Sequence, residues 1–449
     1  MMSRVAAAVT MLFGLARGLM YTPLDHGDLM WDTWIYRRPS GGWVLYYLVH
    51  DHAKTWNAVN LALSADGVHF ADAGTAVYKD CLAPDDCALS VGSGAVWPRL
   101  RNHTAADGED EEYVMNFSQQ DYICEAECQT IFFATSVDLL AWVPVAPDAK
   151  KRGGLTFQID ETLYHHPGRW DTISVLPRPG GGYYGYWTAT PKPAAGGPAD
   201  CGPGKSCGAG FGQSFDGLHW TALPTPGPKL DGELGGVAQL GGRTFMTFGR
   251  GHLFEALTAA GPFTAVRTNH AFLTDEGGSW YARLWGGVVT GDANLVLVSH
   301  QQSVNMNPGT LAWHAPVYAG LLKRATLGAD GVLRAMWWEA NDALRGPPLT
   351  VRPSNTTLER SAAGTGTSSS QHLVTECVAD CVRSGLWLQG SIQPRLHPSA
   401  GAQVEASLVE ASHVEASHVE ASQLEASQVK SSHVKSAGAR GERVRRATT

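Results

Sequence analysis

Charge is scarce in this chain. Only 17% of its 449 residues are Asp, Glu, Lys or Arg, and the formal net charge is −8. Such a surface excludes the basic stripe that holds nucleic acid. The one basic cluster, Arg440 to Arg446, reads as a solvated tail. Helical periodicity is nearly absent, which excludes bundles and helical solenoids. The N-terminal apolar stretch, Val5 to Ala16, falls short of the roughly 20 residues a membrane span needs, so no stable membrane insertion is expected. It follows Met1-Met2-Ser3-Arg4, a basic start before an apolar middle, and residues 1–18 are read as a signal peptide of a secreted protein. A buried N-terminal strand is the alternative. Zinc-ligand spacing is also missing. The eight cysteines fall into the local pairs Cys81/Cys87, Cys124/Cys128, Cys201/Cys207 and Cys377/Cys381, none completed by a spaced His or Cys pair. Loop-borne pairs suit disulfides in an oxidising compartment. The sequons at Asn102, Asn116 and Asn355 fit that compartment. No metal and no cofactor is expected.

What is plentiful is Gly (51), Trp (15) and Tyr (13), the composition of turns and aromatic strands, and so of an all-β chain. Two copies of Trp-Asp-Thr, at Trp31-Asp32-Thr33 and Trp170-Asp171-Thr172, each precede a Gly turn and an aromatic strand. A second motif recurs as Ser64-Ala65-Asp66-Gly67, Ser136-Val137-Asp138-Leu139 and Ser214-Phe215-Asp216-Gly217, and the first and third end on His and an aromatic residue. Five such units span the chain at the period of propeller blades, which predicts a five-bladed β-propeller over residues 22–346. WD40 blades do not fit, because here the Trp-Asp dipeptide precedes its strand. Residues 347–402 read as a polar linker with a short Cys-containing segment. Residues 403–449 repeat a Val-Glu-Ala-Ser-His-like pentad, whose five-residue period builds no amphipathic helix face. That tail is expected to be disordered and without catalytic duty, so no C-terminal β-sandwich is predicted.

In a propeller the innermost strands converge on one axis. Asp32, Asp171 and Glu233 lie just before or within those strands in units one, three and four. Three carboxylates in an aromatic funnel fit glycosidic bond cleavage, which needs one nucleophile or base and one protonated acid. Asp25 and Asp28 compete with Asp32, Asp160 and Glu161 with Asp171, and Asp231 and Glu255 with Glu233. Trp31, Trp97 and Trp285 are candidates to stack on a sugar face, and His300 is a candidate to point into the axis.

At Asp32, at Gly168-Arg169-Trp170-Asp171-Thr172 and at Glu233 the chain resembles glycoside hydrolase family 32, the β-fructofuranosidases, and their relatives in families 43 and 68. The resemblance covers roughly residues 24 to 340. It implies an Asp32 nucleophile, an Asp171 that holds fructose hydroxyls, a Glu233 acid/base, and sugar contacts from Arg169 and from Ser93 in Val91-Gly92-Ser93-Gly94. The chain departs from the family at Thr172, where the motif has Pro, and in lacking the Asn-Asp-Pro-Asn-Gly and Glu-Cys forms. The implied substrate is a carbohydrate: sucrose, a fructan or another furanoside, cleaved with retention. Two alternatives stay open. One is an inverting family-43-like arabinofuranosidase or xylosidase, and the other is a sugar-binding propeller without catalysis.

Overall fold

A computed structural model describes residues 19–21, 23, 29–51, 55–79, 81–83, 86–87, 90–100, 111–120, 129–145, 155–192, 208–228, 232–248, 251–266, 279–303, 317–344, 348–349, 386–396 and 404–416. The chain folds as a five-bladed β-propeller. The blades are antiparallel sheets; in blades one, three and four the four strands follow one another in sequence, while blade two adds Thr156–Phe157 and blade five adds Val317–Gly320 beside its second strand. Their inner strands are Leu29–Arg37, Ser90–Pro98, Trp170–Pro177, Leu234–Leu240 and Ser279–Trp285.

Each inner strand breaks its ladder register near its N-terminal end. The shifts fall between Trp31 and Thr33, Val91 and Gly94, Asp171 and Ser174, Leu234 and Gly236, and Trp280 and Arg283. Such bulges re-aim side chains and sharpen the local twist. With five of them at the same height, one end of the axis is lined by side chains that a regular pleat would turn elsewhere. The backbone is strained there. Asp32 has φ 35° and Thr172 φ 51°, a left-handed conformation that a β-branched residue rarely adopts.

The second recurring motif is a turn that carries the seams between blades. In the first and third copies the Ser hydroxyl donates to Asp Oδ1. That same oxygen accepts the backbone N–H groups two and three residues on, and His Nδ1 lies 2.7 Å from Oδ2. The fourth position is left-handed in all three copies: Gly67 at φ 80°, Gly217 at φ 82° and Leu139 at φ 67°. Leu139 tolerates this because it is buried, so packing offsets the roughly 1–2 kcal/mol that an L-residue forfeits there. The carbonyl of that position accepts from the preceding blade, Leu139 from Tyr46 Oη at 2.8 Å and Gly217 from Trp97 Nε1 at 2.9 Å. Edge-on pairs seal the same seams: Tyr46–Trp142, Trp97–Trp220 and, between the last blade and the first, Trp43–Trp338.

Burial alone would raise the Asp216 carboxyl, but hydrogen bonds from His219, Leu218 and Ser214 outweigh it and hold it at about 2. A depressed carboxylate contributes stability above its unfolded value near 4, and that contribution is lost as pH falls toward 2. Asp216→Ala should therefore cost about 1 kcal/mol in urea unfolding at pH 7 and progressively less between pH 4 and pH 2.

The ring closes through the N-terminus. Leu19–Tyr21 pairs antiparallel with Val317–Gly320 of blade five, while the Tyr21 hydroxyl meets the Tyr47 hydroxyl of blade one at 2.9 Å. The propeller thus begins at Leu19 rather than residue 22, since those three residues complete a sheet. Residues 1–18 lie outside the described residues. Among these no helix is long and apolar enough to cross a membrane.

Two further expectations change. Asn116, read as a sequon, sits mid-strand in blade two with 0% exposure, and its side-chain oxygen accepts the Ala95 N–H at 3.0 Å, so it offers nothing to a glycosyl donor. Asn102 and Asn355 lie outside the described residues. The tail expected to be disordered contains the strand Val404–Ala416, paired with Leu386–Leu396 and with Pro348–Leu349 in a three-stranded sheet. Its pentads lack Pro and Gly and bring β-branched Val at each repeat, which suits a strand better than the helix they cannot form. Cys81 and Cys87 are register partners in a two-stranded antiparallel sheet. The other three pairs lie outside the described residues.

Candidate active site

Asp32 is the bulged residue of the first inner strand, which frees its carboxylate from the ladder. It feels the charges of Glu233 and Asp171 and, with opposite sign, of Arg283 and Arg169. Burial first, and then the Glu233 charge, push its pKa up to about 7. With the Gln301 amide assigned by its surroundings so that its oxygen faces the strand, that oxygen accepts the backbone N–H groups of Asp32 at 2.6 Å and Thr33 at 3.1 Å, so the bulge does not strand its own donors.

Asp171 lies deeper, 5% exposed. Its Oδ1 accepts from the Ser118 hydroxyl at 2.6 Å, and its Oδ2 faces Arg169 Nη2 at 3.1 Å. Gly92 makes this possible, because a Cβ there would lie 2.1 Å from Ser118 Oγ and 3.2 Å from Asp171 Oδ1. Ser93, the next residue, meets the Thr172 hydroxyl at 2.5 Å. Glu233 stands directly before the fourth inner strand, and its Oε1 lies 2.5 Å from Arg169 Nη1. One guanidinium therefore bridges two carboxylates, held in place as Arg169 Nε donates to Gln129 Oε1 at 2.5 Å. This rigid fork suits Arg and not Lys.

Arg283, on the fifth inner strand, carries no signal we used in the sequence. It is 5% exposed and donates to three backbone carbonyls of other blades: Thr33 at 3.1 Å, Gly94 at 3.2 Å and Gly235 at 3.3 Å. A lone cation in the aromatic run Trp280-Tyr281-Ala282-Arg283-Leu284-Trp285 could have drawn attention to it. The described site thus sets two guanidiniums against three carboxylates. No group of three or more His, Cys, Asp or Glu side chains fit to hold a metal occurs among the described residues.

The other predicted contacts divide. Trp31 is half-buried and stacks on Trp56 at 6.2 Å beside Asp32. Trp97 and Trp285 are corrections. Trp97 is fully buried in the seam between blades two and three, and Trp285 is 2% exposed, donating to Ser299 Oγ with the Arg283 guanidinium 4.8 Å above its ring. Trp97 is sealed inside its seam, and the cavity of about 340 Å³ that Trp285 borders includes none of the three carboxylates. His300 is also a correction. It packs against Gly320, where a Cβ would lie 2.2 Å from its Nε2, and the neighbouring residue Gln301 faces Asp32 instead. Burial, and then Lys323, lower its pKa to about 4, so it stays neutral. Among the rivals, Asp160 is a half-buried turn cap on Thr162 and Glu255 pairs with Arg243, while Asp25, Asp28 and Asp231 lie outside the described residues.

No family model and no curated protein matches the chain. Solved structures do match. Fructan 1-exohydrolase IIa from Cichorium intybus superposes with a TM-score of 0.53 at 14% identity, covering 77% of this chain and 64% of that one. A GH32 β-fructofuranosidase, BmSUC1, from Bombyx mori gives 0.49 at 12% identity over 80% and 72%. The exo-β-1,3-galactanase 1,3Gal43A from Clostridium thermocellum gives 0.47 at 11% identity over 71% and 64%. The chain therefore spans less than two thirds of the length of the first and third of these. At such identities the likeness is one of architecture, and what this chain shares with the Cichorium enzyme is the five-bladed propeller fold.

Proposed function

We propose that the chain is a glycoside hydrolase, a β-fructofuranosidase acting on sucrose, a fructan or another furanoside with retention of configuration. The observation that carries this reading is the charge count at one end of the axis. Asp32, Asp171 and Glu233 face Arg169 and Arg283, which leaves one negative charge in excess. A single proton neutralises that excess, and an acid/base pair needs a proton shared in this way. The reactive form is the one in which the shared proton has passed from Asp32 to Glu233: Asp32 then attacks the anomeric carbon and Glu233 protonates the leaving oxygen. Glu233 then takes a proton from the incoming water as the glycosyl–Asp32 ester breaks. As Glu233 gives up its proton the excess negative charge returns, and it stabilises the oxocarbenium-like transition state. Asp171, fixed by Ser118 and Arg169, is placed to accept hydrogen bonds from sugar hydroxyls. The fold shared with fructan 1-exohydrolase supports the same reading.

The test incubates the purified protein with sucrose, inulin and aryl arabinofuranosides and follows the product anomer by NMR. Release of the β-anomer of fructose supports the proposal. Inversion would move the assignment to the arabinofuranosidase or xylosidase alternative. No turnover of any substrate, with sugar binding retained, would leave only a binding propeller. Attack requires ionised Asp32, so kcat/KM should fall as pH drops through about 7, well above the ordinary carboxylate range. Glu233→Gln should slow hydrolysis of alkyl-linked sugars about 10²–10⁴-fold while sparing substrates with activated aryl leaving groups. Equal losses on both substrate types would remove Glu233 from the acid role.

A further inference from the structure

The opposite face of the propeller carries a feature that the proposed chemistry does not use. Arg37-Arg38-Pro39-Ser40-Gly41-Gly42 and Pro177-Arg178-Pro179-Gly180-Gly181-Gly182 close the inner hairpins of blades one and three. The two turns are built alike. Arg38 N–H donates to Gly42 O and Gly41 N–H to Arg38 O, and Arg178 N–H donates to Gly182 O and Gly181 N–H to Arg178 O. Both therefore hold a half-buried arginine at the same position. These arginines lie six and seven residues along their strands from Asp32 and Asp171, about 20 Å at strand rise, so their site is separate from the carboxylates.

The two turns border one groove of about 740 Å³ that also includes Arg37, Tyr36, Tyr183 and Glu111. Three guanidiniums face one carboxylate there, in a chain whose overall charge is −8. Glu111 is engaged by the Tyr113 hydroxyl at 2.7 Å. The Arg178 guanidinium sits 4.4 Å from the Phe215 ring centroid, which holds it in place, and its Nη1 is buried without a hydrogen-bond partner. Arg37 donates to Thr290 O at 3.3 Å along the same wall. The volume lies in the range of small-molecule sites.

We infer that this groove binds an oxyanion-bearing ligand of up to disaccharide size, with its carboxylate, sulfate or phosphate held between Arg38 and Arg178. A duplicated turn supplies two forks from two blades, and paired guanidiniums are the geometry that planar oxyanions select.

Isothermal titration of the full chain with inorganic sulfate, inorganic phosphate and a uronate disaccharide tests this at low salt. Binding of at least one probe is expected, weakened about tenfold in Arg38→Gln and in Arg178→Gln and further in the double variant. Glu111→Gln, which keeps an acceptor for Tyr113 and removes the opposing charge, should tighten binding several-fold. This gain is one that a merely misfolded variant would not show. If the uronate binds and the inorganic ions do not, the ligand is an acidic saccharide. If the ions bind as well as the uronate, the site reads the anion alone. Asp32→Asn should bind the probes as wild type does, so failure here is distinguishable from failure of the glycosidase reading. Absence of binding for all three probes, or undiminished binding in the double variant, overturns the inference.

Discussion

Asp32→Asn is expected to lower kcat by about 10⁴-fold or more and, at the same time, to stabilise the folded chain above pH 7. The first effect follows from losing the nucleophile, which no neighbouring group replaces. The second follows from the raised pKa. A carboxyl at about 7 in the fold and near 4 unfolded binds its proton more tightly when folded. Its contribution to stability is therefore complete below pH 4 and is lost as pH rises through 7. Replacing it with a neutral isostere removes that penalty, worth up to about 4 kcal/mol at alkaline pH and less where solvent reaches the site. It also leaves two carboxylates against two guanidiniums. Asn is the right probe because it tolerates the φ of 35° at this position at least as well as Asp. Urea unfolding at pH 5 and pH 8, alongside initial rates, checks both halves. A variant that is inactive but no more stable at pH 8 than wild type would refute the electrostatic account of the site.

Arg283→Met should have the largest effect on stability, about 3–5 kcal/mol, seen as a fall in Tm of roughly 5 °C or more. Two costs combine. The carbonyls of Thr33, Gly94 and Gly235 lose their donor, and among the described residues Asp32, Asp171 and Glu233 keep Arg169 alone as a counter-charge. Those carbonyls belong to blades one, two and four, so this one side chain ties four blades together at the axis. Arg283→Lys should recover the charge but not the three-way fork, and is expected to fall between wild type and Met. If Arg283→Met unfolds at the wild-type midpoint, the axis is held by the interblade aromatic seams alone.

The blade turns were legible because they depend on local chemistry. Ser-x-Asp-Gly closes its own hydrogen bonds within a few residues, and a reader of the chain can see its three copies, including the one where Leu139 replaces Gly. The paired Trp-Asp-Thr motifs located Asp32 and Asp171 for the same reason. Asn116 shows where local reading stops, since a sequon looks the same on a loop and in the middle of a strand.

The amino-acid order by itself determined the all-β class, the number of blades and the three carboxylates worth watching, because turn chemistry, aromatic strands and repeat spacing are properties of neighbouring residues. Tertiary structure alone decided which side chains meet. A single-residue register shift reverses the face a strand residue occupies, and each of the five inner strands carries such a shift at the site end. That is why Gln301 rather than His300 reaches Asp32, why Trp97 and Trp285 pack inward, and why Arg283 emerges as the cation at the axis only once the ring is closed.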